Sequence, residues 1–234
     1  MRWLELSLHL HVAGGSLALA AMLIPLFSRK GGAAHRRFGW LFVAGMAVVC
    51  VTGAVASGEA IARAQDAHDR DFPIFLFCLS IFTSGLVSIG VRSIRTRRRT
   101  GASRSAWDLG LATLSLAAAA VALVYGLARG RNIFVGFGFL AVPLCSVQLR
   151  YWLRAPQSKV HHILQHIVGM FGCCIAGLTA LLVINSGHFG LTRAEGALWS
   201  APALVLGPLM LGWLLVTRRR ATAADAPAAL QGPL

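Results

Sequence analysis

Histidine is the residue type in this chain on which chemistry can be built. His9 and His11 lie in the first apolar stretch, His35 in the first basic loop, and His161, His162 and His166 at the start of a later apolar stretch. His162 and His166 are four residues apart and share one face of a helix, a spacing compatible with two ligands to a metal ion. A third ligand has to come from elsewhere, and His35 is the nearest candidate in height, so His35, His162 and His166 form the candidate metal set. The alternative chemistry is haem, whose iron in membrane cytochromes is held by histidines from two helices. With a rise of ~1.5 Å per residue, His11 sits about 10 Å below one membrane surface and His166 roughly 6 Å above the other. In a ~30 Å hydrocarbon core their heights differ by about 14 Å, which makes them poor opposite ligands of one iron. A pair of His35 with His166, or a two-cofactor arrangement, passes this test.

The elements that position these residues follow from composition. The 234 residues are 56% hydrophobic and 13% charged, against ~25% charged in an average soluble domain. Seven apolar stretches stand out at about residues 4–27, 38–56, 72–91, 109–128, 133–149, 163–184 and 197–217, each close to the ~20 residues needed to cross a bilayer. None contains a charged residue except Glu5 near the end of the first. The sequence predicts an all-α integral membrane bundle of seven transmembrane helices forming one domain over residues 1–217, followed by a basic and then disordered tail at 218–234. Met1–Ala20 has some features of a secretory signal, but two histidines interrupt it and apolar sequence continues to Phe27, so it reads as a retained helix. The five cysteines all lie inside apolar stretches, where they read as packing residues.

The net charge of +14 would suggest nucleic acid in a soluble protein. Here it sorts by loop. Alternate connections hold 16 basic residues in one set (around 29–37, 92–104, 150–159 and 218–220) and 6 in the other. The positive-inside rule then places the first set in the cytoplasm, the N-terminus outside and the C-terminus inside, with no nucleic-acid partner and with anionic lipid headgroups as partners on the cytoplasmic side. The expected location is a bacterial inner (plasma) membrane. Trp3, Trp40, Trp107, Trp152 and Trp199 fall at span ends, where an indole prefers the headgroup region.

Other features speak to function more weakly. The outer loop 57–71 carries Glu59, Asp66, Asp69 and Asp71, a possible cation site, and extends the second helix by a turn or two. Pro143, Pro202 and Pro208 raise the alternative of broken helices lining a transport path, against which stands the lack of any ionisable group at a span centre. No triad, nucleotide loop or carboxylate pair supports an enzyme reaction. Small residues four apart, as in Gly14 to Ala18, Ser80 to Ser84 to Ser88 and Gly169 to Cys173 to Gly177, predict close helix packing.

His11 with Gly15 and Ala18, the loop Lys30-Gly31-Gly32-Ala33-Ala34-His35-Arg36-Arg37-Phe38-Gly39 with Met46, Arg150, and His161 with His166 and Met170 form a pattern. Over about residues 8–185 it resembles an uncharacterised family of bacterial multi-pass membrane proteins. The chain departs from that pattern at Gln148, where an acid is usual, and at Gln165 and Gly169, where basic residues are. The resemblance implies an integral membrane protein and singles out His11, His35, Arg36, His161 and His166 as candidate cofactor-binding residues. Three functions stay open: binding of a lipidic or small anionic ligand at a cytoplasmic His/Arg patch, a haem- or metal-containing electron-transfer protein, and a transporter or channel.

Overall fold

The computed structural model describes residues 2–191 and 195–225. Those residues form seven helices and no strand: α1 (Arg2–Phe27), α2 (Ala33–Arg63), α3 (Ala67–Arg95), α4 (Ala106–Arg129), α5 (Asn132–Leu153), α6 (His161–Ile184) and α7 (Glu195–Asp225). All seven are long and apolar enough to cross a membrane. The side chains of Arg2 and Trp3, the whole of Arg193, and the tail beyond Asp225 lie outside the described residues.

The second helix extends about two turns into the segment 57–71, as expected, running to Arg63, and α3 begins at Ala67, so residues 64–66 connect them. Asp66 stops the chain between them by capping α3, accepting from the amides of His68 and Asp69. Glu59 and Asp71 are engaged in ion pairs and Asp66 in the cap, and no metal-binding group of three His, Cys, Asp or Glu occurs among the described residues. The fifth and seventh helices are not broken: α5 and α7 pass through Pro143, Pro202 and Pro208 as single helices. The basic residues 218–220 belong to α7, which continues to Asp225.

Glycine contacts explain which helices neighbour each other. A Cβ on Gly45 of α2 would lie 2.6 Å from the Gly14 carbonyl oxygen of α1, and one on Gly169 of α6 would lie 2.6 Å from the Leu86 oxygen of α3. Only glycine allows backbones that close, the packing that lipid-embedded helices favour. The α4–α5 hairpin closes the same way, through Gly126 against Phe134 and Gly138 against Leu123, with Gly130 at φ 64° ending α4 in the left-handed conformation. α3 is the hub, packed on α2, α4, α5 and α6; α1 joins α2 and grazes α6, and α7 lies against α6. The main core runs through Met22, Met46, Phe82, Leu86, Cys145, Phe171 and Cys173. Trp40 and Trp107 are exposed at helix ends as expected, but Trp152 is 2% exposed and belongs to the core, and Trp199 packs edge-on against Phe75.

Candidate functional site

His35 and His166 meet at the end of the bundle that carries the basic loops. Four helices build the meeting point. α1 ends at Phe27 and the chain turns through Gly31, whose φ of 75° suits glycine. This turn brings His35, in the first turn of α2, back beside the last turn of α1, where its Nδ1 lies 3.3 Å from the Pro25 carbonyl oxygen. The Gly169 contact draws α6 onto α3 so closely that His166 Nδ1 reaches the Gly90 carbonyl oxygen at 2.7 Å. The two rings face each other edge to face with centroids 6.2 Å apart.

Those two hydrogen bonds fix the chemistry of the rings. A main-chain carbonyl only accepts, so each Nδ1 carries the proton and donates it, and each Nε2 keeps its lone pair. Anchoring one ring nitrogen to a backbone oxygen is how proteins orient a metal-ligating imidazole. One turn along α2 from His35 the space over Gly39 is open, since a Cβ there would meet nothing within 4 Å.

The neighbouring cations are used differently. Lys30 donates to the carbonyls of Pro25 and Leu26 at 2.8 and 2.7 Å and sits over the Trp213 ring of α7 at 5.0 Å. It caps the acceptor end of α1, where a cation is favoured, and partial burial lowers its pKa from the ordinary lysine value. Arg36 donates to the Gly31 carbonyl at 2.8 Å and holds the same turn. Both side chains therefore shape the loop.

The remaining predicted residues lie elsewhere. His162 packs edge-on against His161, with centroids 5.4 Å apart. Together with His35 and His166 it makes no three-ligand group among the described residues. His161 donates Nδ1 to the Ser158 carbonyl at 2.5 Å and lies beside the Tyr151 ring. His11 belongs to the opposite end of the bundle: its Nδ1 is 3.0 Å from Thr52 Oγ1, which itself donates to the Val48 carbonyl. Thr52 lies seventeen residues beyond His35 on α2, roughly 25 Å along the axis, so His11 shares no site with the pair.

Two polar clusters escaped the sequence reading. Arg92 of α3 grips both carboxylate oxygens of Asp108 of α4, where Ser103 also donates to Oδ2 at 2.9 Å and the Asp108 side chain is 1% exposed. At the other end Asp71 accepts from Tyr125 at 2.7 Å and pairs with Arg131 at 2.5 Å and Arg129 at 3.8 Å. Asp108 was visible in principle as an acid in a strongly basic connection, a place where an acid needs a partner. No protein-family model, curated protein or solved structure matches the chain.

Proposed function

We propose that this multi-pass membrane chain is an electron-transfer protein that holds a haem iron between His35 and His166. The observation that carries the reading is the pair itself: two imidazoles from different helices, each with Nδ1 committed to a backbone oxygen and Nε2 left as a lone pair. Ligand number supports haem over a bare metal ion. A structural zinc site takes four protein ligands, whereas haem brings its own four nitrogens and asks the protein for two. The ring centroids are 6.2 Å apart, so one bound group can contact both imidazoles.

The competing reading, an anionic or lipidic ligand held by a His/Arg patch, fits these rings less well. A neutral imidazole whose Nδ1 proton is already donated offers an anion only repulsion from Nε2, while Lys30 directs two of its donors and Arg36 one to loop carbonyls. Anionic headgroups have a better claim on the basic end as a whole, where Arg95 lies over the exposed Trp40 ring at 4.9 Å. The same proposal places that end in the cytoplasm, by the loop charges, and the chain in a bacterial inner membrane, by its resemblance to the family described above.

The test is the optical spectrum of the detergent-purified protein. A Soret band with one iron per chain is expected, lost in His35→Ala and in His166→Ala and retained in His11→Ala. A wild-type protein supplied with haem that shows no Soret band removes the reading.

A further inference from the structure

Between the end of α3 and the start of α4 an open hollow of about 340 Å³ is walled by Arg95, Arg98, Arg99 and Arg104, with Thr96 and Ser103 among them. None of the four guanidiniums pairs with a carboxylate among the described residues. The nearest acid in sequence, Asp108, has a side chain only 1% exposed and is already held by Arg92 and Ser103. Like charges gathered at one hollow repel one another unless an anion enters.

The side chains around the hollow divide by task. Arg99 is a tether: it donates to the carbonyls of Trp152 and Tyr151 at 3.1 and 2.8 Å, and the Ser103 amide donates to the same Trp152 carbonyl at 2.7 Å. These bonds tie the α3–α4 connection to the end of α5 and hold the shape of the hollow. The hydroxyls of Thr96 and Ser103 are occupied, donating to the Arg92 carbonyl and to Asp108. Arg95 rests on the Trp40 ring at 4.9 Å. Arg98 and Arg104 are exposed and make no hydrogen bond, ion pair or ring contact among the described residues. Three guanidiniums therefore keep their donors. Basic residues after a span satisfy the charge rule for topology, and cations suit the end of α3. Neither requirement calls for a tethered connection that brings them to one hollow.

Depth and charge select the anion. Trp40, beneath Arg95, and Trp107, at the start of α4, are both exposed, and exposed indoles at span ends lie at the level of lipid headgroups. Guanidinium N–H groups bind phosphate oxygens in pairs. A single phosphodiester carries one negative charge and leaves two of the three available guanidiniums unmatched, whereas two phosphodiesters in one headgroup come closer to balance. Basic pockets at this depth hold headgroups of that kind.

We propose that Arg95, Arg98 and Arg104 bind a phospholipid whose headgroup carries two phosphodiester groups, with Arg99 as the positioning residue that holds the connection in place. The hollow shares no residue with the histidine pair, so this binding does not depend on haem.

The experiment uses the full chain in a nonionic detergent, with native mass spectrometry counting bound lipid. Tetraoleoyl cardiolipin and dioleoylphosphatidylglycerol are titrated at equal total phosphate. One cardiolipin per chain is expected at concentrations where phosphatidylglycerol leaves the chain bare. The double variant Arg98→Gln, Arg104→Gln should weaken cardiolipin binding about 30-fold. The double variant Arg218→Gln, Arg219→Gln removes the same charge from α7 and should leave it nearly unchanged. The thermal midpoint of the first variant without lipid should match that of the unsubstituted chain, because neither side chain bonds to its neighbours. Equal occupancy by the two lipids, equal losses in the two double variants, or displacement of cardiolipin by millimolar pyrophosphate, the mark of a soluble phosphate ligand, would each overturn the assignment.

Discussion

The two sides of α3 solve the problem of polar groups in an apolar bundle in opposite ways. Toward α4 and α5, carboxylates are paired with cations: Arg92 closes on Asp108 at one end, and Arg129, Arg131 and Tyr125 converge on Asp71 at the other. Toward α2 and α6 no ion pair joins the helices among the described residues, and the polar side chains are imidazoles tied to backbone oxygens. A carboxylate gripped by a guanidinium has little bonding capacity left, whereas an imidazole anchored by one nitrogen still presents the other. The first arrangement fixes helices, and the second leaves a site.

Breaking the charged side should cost most. Asp108→Ala leaves the Arg92 guanidinium without its partner in a largely enclosed place, and we expect a loss of about 3 kcal/mol, read as a lowered denaturation midpoint in detergent. Any haem absorbance should survive in the fraction that remains folded. A smaller effect is expected on the histidine side from Gly169→Val, whose Cβ would meet the Leu86 oxygen at 2.6 Å and Gly90 Cα at 2.8 Å. Overpacking of this kind costs about 2 kcal/mol, and by pushing α6 off α3 it should also break the bond from His166 to the Gly90 carbonyl and shift or remove the Soret band. A variant that loses stability with an unchanged spectrum would blur the contrast between the two sides.

The smallest effect concerns the link between α2 and α3. The amide of Asp69, and after it that of His68, holds the Asp66 carboxyl below the ordinary aspartate pKa. Because the folded-state value is the lower one, the cap's contribution is complete above the unfolded value of ~3.9 and fades as pH falls through the lowered one. Hydrogen exchange at the His68 and Asp69 amides should therefore show greater local opening below that pKa, after correction for the intrinsic rate. Asp66→Ala should show that opening at neutral pH.

Seven helices were legible in the sequence because each is a long uncharged run, and lipid demands little else. The approach of His35 to His166 was legible too, since both lie near the same membrane height and only pairs at one height can meet. The carbonyls that hold them were not. Pro25 and Gly90 become acceptors only once α1 turns back on α2 and α6 settles on α3, and those adjacencies depend on Gly14, Gly45, Gly90 and Gly169 meeting one another. Trp152 misled for a related reason: its place near a helix end suggests the headgroup region, but the folded α3–α4 connection covers it, with Ser103 and Arg99 bonding to its carbonyl.

The carbonyl of Pro25 serves two donors, the Lys30 ammonium at 2.8 Å and the His35 ring at 3.3 Å. The carbonyl of Gly90, inside α3, takes the His166 ring at 2.7 Å, with a long contact from Ser93 at 3.4 Å beside it. The two imidazoles are therefore unequal bases. A carbonyl already polarised toward a cation pulls less on the His35 N–H, and leaves that ring the poorer electron donor of the two. Were a metal held by this pair, His166 on α6 would be the stronger of its two donors and His35 on α2 the weaker.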